Sequence, residues 1–369
     1  MNKIDFLNLK AVNEKYKSEI MVGIERVIDS GWYINGSEVK SFEAEFAAYT
    51  GVKYCIGVAN GLDALNLTLR AWKELGKIKD GDEVLVPANT YIASILAITE
   101  NNLKPVLVEP DILSYNIDVN NARKLVTSKT KVILAVHLYG QLANMIDVMS
   151  LAKELSLLVL EDSAQAHGAK LNGLKAGAWG DSSAFSFYPG KNLGAMGDAG
   201  AITTNDAELA EAVRTIANYG SKEKYNHTIK GINSRLDDLQ AAILRVKLKC
   251  LNEEIFSRQS IARQYLSGIS NKRIILPYVE KDIMSHVWHL FVIRSSAREE
   301  LQDFLSTKNI QTLIHYPVPP HKQNAYIGEF DEKLPITELI HDTVLSLPMW
   351  SGLSQEDVEH IINSVNEFE

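Results

Sequence analysis

Residues 182–204 read SSAFSFYPGKNLGAMGDAGAITT. Two runs with the composition of buried strands, SSAFSF (182–187) and AGAITT (199–204), flank a loop with one lysine, Lys191. The same stretch carries four glycines, Gly190, Gly194, Gly197 and Gly200, which let backbone pass close to a bulky ligand. A lysine among aromatic and small neighbours is partly desolvated and gives up its charge more readily. A neutral amine is what attack on a carbonyl requires. The plain alternative is an exposed loop lysine. The loop is not a P-loop, because Asn192 follows Lys191 and the upstream glycine is missing. Nor is the spacing of Gly194, Gly197 and Gly200 that of a dinucleotide fingerprint.

Working outward, strand-like runs alternate with helical patterns. The strand candidates are YCIGV (54–58), EVLVP (83–87), KPVLVE (104–109), KVILAVH (131–137) and LLVLED (157–162), with the two runs above. They are short, apolar and rich in Val and Ile, as strands covered on both faces are. Leu62, Leu65, Leu69 and Trp72 follow the helical period, as do Leu236, Leu239, Ile243 and Val246. Ser234 and Asp237 resemble a loose capping box for the second of these helices. The order predicts an α/β fold with a mainly parallel sheet. Past residue 250 the character changes: WHLFVI (288–293) reads as a strand, EELQDFLSTKN as a helix and SQEDVEHIINSVNEF as a terminal helix. We expect a large α/β domain over 1–250, including a helical segment to about residue 50, and a smaller α+β domain over 251–369.

Composition narrows the classes. The chain has 369 residues, 46% hydrophobic and 23% charged, with net charge −8. That argues against a partner bound through nucleic-acid phosphates. Cys55 and Cys250 have neither zinc-site nor disulfide-framework spacing. His286 and His289 are expected to flank a strand rather than hold a metal. HExxH, CxxC and GxSxG are absent from the sequence. The segment MNKIDFLNLKAVNEKYK lacks the apolar core of a signal peptide, and no apolar run approaches a membrane span. A cytoplasmic location is the expectation, with no metal, nucleic-acid or membrane partner.

Ligands of open α/β sheets bind at the carboxyl ends of strands, and four clusters fall there. In VANGLDAL (58–65) a strand gives way to a helix at Asn60 and Gly61. Its first N–H groups suit a phosphate, and the plain alternative is a turn capped by Asn60. In LVLEDSAQAHG (158–168) Glu161 and Asp162 close a buried strand. An acid there can hold a cationic ring nitrogen, Gln165 can donate to a nearby oxygen, and His167 can support them; the alternative is helix capping by Asp162 and Ser163. Ser186 and Lys191 form the third cluster. GINSRLDD (231–238), with Asn233 and Arg235, and HYPVPPH (315–321), with His315, Tyr316 and His321, form the fourth. Ordinary loop polarity is the stronger reading for His321. Together the clusters ask for one ligand with a phosphate, a ring nitrogen, a ring hydroxyl and an aldehyde. Pyridoxal 5′-phosphate has all four, with Lys191 as the Schiff-base lysine.

On these motifs the sequence resembles the DegT/StrS-type nucleotide-sugar aminotransferases, pyridoxal-phosphate enzymes of fold type I. The likeness runs from SGWYINGSEVKSFEAEFAAYTG through NGLDAL, EVLVPANTYIAS, VHLYGQ, EDSAQAHG and FSFYPGKNLGAMGDAGA to NSRLDDLQAA and HYPVPPH. The resemblance implies that Lys191 bonds the cofactor and shuttles the proton, and that Asp162 pairs with the ring nitrogen. It implies Gln165 near the ring hydroxyl and Tyr91 stacked on the ring. The backbone at Gly61 and Leu62, with Ser186, would hold the phosphate, and Asn233 would reach it from a second copy in a homodimer with shared sites. Tyr33, His315, Tyr316 and His321 are weaker candidates for substrate contact. Family members often carry a Thr where Leu62 stands, so any phosphate contact there must be through backbone. The details PGKNLGAMGDAGA are most like members that aminate a 3-keto sugar on a dTDP carrier, with glutamate as donor, to make a dTDP-3-amino-3,6-dideoxyhexose for a surface polysaccharide or glycosylated metabolite. Amination at C4 and a non-catalytic, regulatory cofactor-binding protein are the alternatives. A lysine rather than a histidine at 191 argues for amine transfer over dehydration.

Overall fold

A computed structural model describes residues 3–223, 225–279 and 282–369. Seven strands build the central sheet: β1 (Tyr54–Val58), β2 (Glu83–Pro87), β3 (Lys104–Val108), β4 (Thr130–Val136), β5 (Leu158–Asp162), β6 (Ser182–Ser186) and β7 (Gly200–Thr204). Their order is β1-β7-β6-β5-β4-β2-β3. Only β7 runs against its neighbours, β1 and β6, so the sheet is mainly parallel, as the alternation predicts.

Helices cover both faces, which is why these strands are apolar at successive positions. In β2 and β4, Val84, Val86, Val132 and Leu134 join one core with Leu65, Leu69 and Trp72 of α3 (Gly61–Glu74). The intervening Leu85 and Ile133 join the other core, with Phe42 and Phe46 of α2 (Ser37–Thr50) and Leu244 of α7 (Asp238–Gly268). Period-two alternation of side chains thus divides each strand between two layers. Further helices around the sheet are α4 (Ile92–Glu100), α5 (Met145–Leu155), α6 (Ala207–Ala217) and the short helix Val119–Leu125, while α1 (Lys17–Ser30) packs against α7. A third core gathers Ile261 and Tyr265 of α7, the antiparallel pair β8 (Phe291–Arg294) and β9 (Val344–Leu347), α8 (Arg298–Thr307) and α10 (Gln355–Glu367). Helix α9 (Pro335–Thr343) precedes β9. The N-terminal strand-like residue Ile4 joins this third core by bridging Ile310.

Several details differ from the expectations. No capping box forms from Ser234 and Asp237: α7 begins at Asp238, Asp237 makes no side-chain cap bond, and Ser234 Oγ accepts the Ala59 N–H at 3.1 Å. Asp238 faces elsewhere, because its carboxylate accepts the N–H groups of Gly36, Glu38 and Val39 at 2.7, 3.1 and 3.3 Å and so caps α2. The buried stripe of α7 runs through Ala241, Leu244, Leu248, Leu251 and Ile255; of the four residues read at helical spacing, Ile243 is buried in the helix, Leu239 is exposed, Val246 is half-buried and the buried Leu236 precedes the helix. Two cations, Lys247 and Arg258, lie on that buried side. Helix α7 is continuous through residue 250, where the sequence reading divides the chain. In WHLFVI the strand starts only at Phe291, since Trp288 has φ +51° and breaks the extended run.

Candidate active site

The acids that end β5 part company. Glu161 is fully buried and accepts the N–H groups of Gly177, Trp179 and Gly180, each at 2.9 Å, and contacts His137 Nε2 at 2.9 Å. His137 Nδ1 accepts the Ala143 N–H, so Nε2 carries the hydrogen and donates to Glu161. Glu161 is therefore spent on structure. Asp162 accepts Ser94 Oγ–H at Oδ2 (2.8 Å) and the Ala164 N–H at Oδ1 (3.2 Å), and Thr90 Oγ1 lies 2.8 Å behind Ser94. Those two donors leave acceptor capacity on the carboxylate.

Lys191 sits in a loop that the flanking strands set tightly. The Phe187 N–H donates to Ala199 C=O, the Ala195 N–H to Phe187 C=O and the Lys191 N–H to Tyr188 C=O, each at 2.8 Å. At Gly194 a Cβ would lie 2.3 Å from the Pro189 carbonyl oxygen, so the turn excludes any side chain there. No ion pair engages the Lys191 ammonium among the described residues. Burial pushes its pKa down to about 8, while the nearby Asp162 charge pulls the other way. Burial, and then the Lys191 charge, hold His167 down to about 3 and His315 to about 4, so both rings are neutral at neutral pH.

The other predicted groups gather unevenly. A Cβ on Gly61 would lie 2.5 Å from Ser186 Cβ, so the start of α3 abuts the end of β6 through bare backbone. Asn60 Oδ1 caps that helix by accepting the Asp63 N–H at 2.8 Å, and Leu62 turns its side chain to the core. Gln165 is engaged at both ends: Oε1 accepts the Tyr139 N–H (2.6 Å) and Nε2 donates to Tyr316 Oη (2.9 Å). The Tyr316 ring lies 5.0 Å from that of Tyr91, which is half exposed at the start of α4. His315 Nδ1 is 2.9 Å from Ser346 Oγ. The structure thus links Gly61 with Ser186, Asp162 with Lys191, and Gln165 with Tyr316 and Tyr91. Tyr33 and Asn233 are exposed on the surface, Asn233 on a bridge to Asn218. His321 pairs with Glu338 at 3.3 Å, consistent with the plainer reading of that residue.

Sequence reasoning missed Ser94, Asn192, His289 and Lys247. Lys247 donates to Gly194 C=O at 2.5 Å and to Asn13 Oδ1 at 3.1 Å, holding the lysine loop and the short helix Leu9–Glu14 together. A lysine in the apolar stripe of α7 is the signal that would have found it. Ser94 carries no such signal, since serine in a helix following a strand is commonplace.

The model of the DegT/DnrJ/EryC1/StrS aminotransferase family matches residues 14–366. The chain belongs to this family. Among DegT/DnrJ/EryC1/StrS relatives, it is 55% identical to dTDP-3-amino-3,6-dideoxy-alpha-D-galactopyranose transaminase of Aneurinibacillus thermoaerophilus over 99% of both chains. The solved structure of S. venezuelae DesV in complex with a ketimine intermediate superposes with a TM-score of 0.95 at 45% identity, covering 100% of this chain and 98% of that one. NtdA from Bacillus subtilis with bound cofactor PMP superposes with a TM-score of 0.91 at 29% identity, covering 99% and 85%. The family's structural neighbours are aminotransferases with this α/β sheet, in agreement with the fold class read from the sequence.

Proposed function

We propose that this protein is a pyridoxal 5′-phosphate-dependent aminotransferase that moves an amine from an amino acid, L-glutamate, to C3 of a dTDP-linked 3-keto-6-deoxyhexose, giving a dTDP-3-amino-3,6-dideoxyhexose. The observation that carries this is Lys191, half-buried in its glycine-bearing loop, without an ion-pair partner among the described residues and pushed down to about 8 by burial, with Asp162 as its charged neighbour. The name of the A. thermoaerophilus relative favours C3 over C4.

The residues fit the cofactor. Lys191 offers an amine that gives up its proton more readily than a free lysine, Asp162 an anionic acceptor, and Gly61 a bare helix start where any Cβ would strike Ser186. When bound, the cofactor supplies an electron sink and a temporary carrier for the amine. Lys191 Nζ then takes a proton from the donor's α-carbon and returns one at the acceptor, a task suited to an amine that titrates near neutrality. Asp162, fixed by Ser94, keeps a positive charge on the ring nitrogen. The Gly61 and Leu62 N–H groups with Ser186 hold the phosphate at the positive end of α3. Gln165, oriented by Tyr139 and Tyr316, lies beside the ring hydroxyl, and Tyr91 covers the ring. Tyr33, His315 and Tyr316 are assigned to the sugar nucleotide, whereas His321 anchors its loop through Glu338.

Asn233, exposed on one chain, is assigned to the phosphate site of a second copy, which makes the working unit a homodimer. The exposed apolar residues Met21, Val22, Ile28 and Trp32 on and after α1 support that reading. We also propose that residues beyond the middle of α7 form the smaller domain and that the enzyme works in the cytoplasm. No helix among the described residues is long and apolar enough to cross a membrane.

The test is spectroscopic and chemical together. The wild-type protein with cofactor is expected to be yellow and to bleach with glutamate, and Lys191→Ala not to bleach. Mass spectrometry should then find an amine on C3 of the dTDP-keto sugar. A wild type that neither binds the cofactor nor bleaches would defeat the proposal.

A further inference from the structure

The residue after Lys191 is tied to a segment from the distant 286–290 stretch. Asn192 Nδ2 donates to Val287 C=O at 3.2 Å, so its Oδ1 is the acceptor left for His289 Nδ1, also at 3.2 Å. His289 must therefore carry its hydrogen on Nδ1. Burial, with the Lys191 and Arg258 charges, holds its pKa well below the usual histidine range, so the ring is neutral. No protein group among the described residues bonds its Nε2.

The platform under His289 is rigid. The Val287 N–H donates to Gly140 C=O (2.9 Å) and the Leu290 N–H to Tyr139 C=O (3.2 Å). Arg258, buried in α7, donates to the carbonyls of Trp288, His289 and Met349 at 3.2, 3.4 and 2.7 Å. Gly140 (φ +98°) lets the His289 N–H pass where a Cβ would come to 2.8 Å. Between these ties Trp288 occupies the left-handed region at φ +51°, its ring stacked on His286 at 3.8 Å. A bulky residue there is strained, and such strain persists where surrounding contacts over-determine it. Here the strained turn delivers a histidine to the neighbour of the reactive lysine.

We propose that His289 is a positioning residue for Lys191, acting through Asn192; this rests on Lys191 being the reactive amine. Its donor fixes the Asn192 side chain, and with it the peptide from which Lys191 springs. Misplacement of a reacting group by about 1 Å costs about 100-fold in rate.

The variants are His289→Phe, which keeps a ring but no donor, His289→Asn, which puts an N–H near the place of Nδ1, Asn192→Ala, and the double change His289→Phe/Asn192→Ala. In the cofactor-free protein, the pH midpoint for trinitrophenylation of Lys191 is read by peptide mass spectrometry. It should lie near 8 in wild type and His289→Asn, and rise by about one unit or more in His289→Phe and Asn192→Ala as the amine gains solvent. In the loaded enzyme, kcat should fall about 10- to 100-fold in those two variants, with KM within about twofold and the double change no worse than either alone. An unmoved midpoint and kcat in His289→Phe, equal damage from Asn and Phe, or multiplicative losses in the double change would overturn the proposal. A wild-type midpoint near 10.5, or full turnover by Lys191→Ala, would instead remove the underlying reading of Lys191 and this inference with it.

Discussion

At the residue scale, the fate of a carboxylate is decided by its donors. Glu161 and Asp162 are adjacent and chemically alike, yet three backbone N–H groups and His137 occupy Glu161, whereas Asp162 keeps room for a ligand. In Glu161→Gln, one oxygen becomes an amide NH2 whose hydrogens must confront the Gly177 and His137 donors or those of Trp179 and Gly180. We expect a loss of at least about 2 kcal/mol in stability, read by urea unfolding. Asp162→Asn should instead leave stability little changed and cut turnover steeply. It should also lower the Lys191 pKa further, because the Asp162 charge opposes the effect of burial. The neutral fraction of Lys191 rises with pH, so cofactor-free wild type mixed with pyridoxal 5′-phosphate should gain yellow colour with a rate that climbs through about pH 8, and Asp162→Asn through a lower pH. Stopped-flow absorbance across pH 6–10 checks both, with roughly that range chosen to bracket the lysine transition. Lys191 and Asp162 could be singled out as candidates from the sequence because their clusters occur together at strand ends and ask for one ligand, although a loop lysine or a strand-end acid alone says little. That Glu161 is the structural member was not legible, since its donors arrive from residues 177–180, across an irregular loop with no periodic signature.

At the element scale, the seven strands of the central sheet were read to within a residue because their apolar runs are bounded by glycine and polar residues, whereas β8 was read three residues early and β9 was not read. Helix α7 was read less well. Its Leu236, Leu239, Ile243 and Val246 look like a stripe, but the face that is buried is decided by what packs against it, namely α1, α2 and the sheet. Asp238 shows the same limit: it stands at one helix start and caps another about 200 residues away in sequence. Its replacement makes a sharp prediction. Asp238→Ala leaves the Gly36, Glu38 and Val39 N–H groups in a buried place without an acceptor, at a cost of roughly 2–3 kcal/mol. Asp238→Asn should recover only part of this, because its amide N–H groups would face the Gly36 donor or the Glu38 and Val39 donors. Thermal melts of the three proteins, cofactor-free and loaded, test the order wild type, Asn, Ala.

For the whole molecule, α1 presses Ile20, Gly23 and Val27 inward and leaves Met21, Val22 and Ile28 outside, with Trp32 63% exposed beyond its end. A surface of that kind on one chain calls for a cover. Light scattering should therefore give twice the chain mass of 41.0 kDa. Trp32→Glu should shift the population toward single chains and lose activity in proportion, with activity regained at higher protein concentration if copies share a site. A Trp32→Glu protein that is monomeric and fully active would separate assembly from catalysis.

The reversed strand β7 has a consequence for how the protein is born. It lies between β1 and β6, so Gly61, just after β1, does not reach its place against Ser186 at the end of β6 until β7 has been inserted between the two strands. On a ribosome, β7 emerges about 140 residues after β1. At about 5–20 residues per second, the amino-terminal strand waits roughly 7–28 s with its pairing edge bare. The contact between Gly61 and Ser186 thus cannot be completed before a nascent chain has passed residue 204, and that interval is when a chaperone has a bare strand edge to shield.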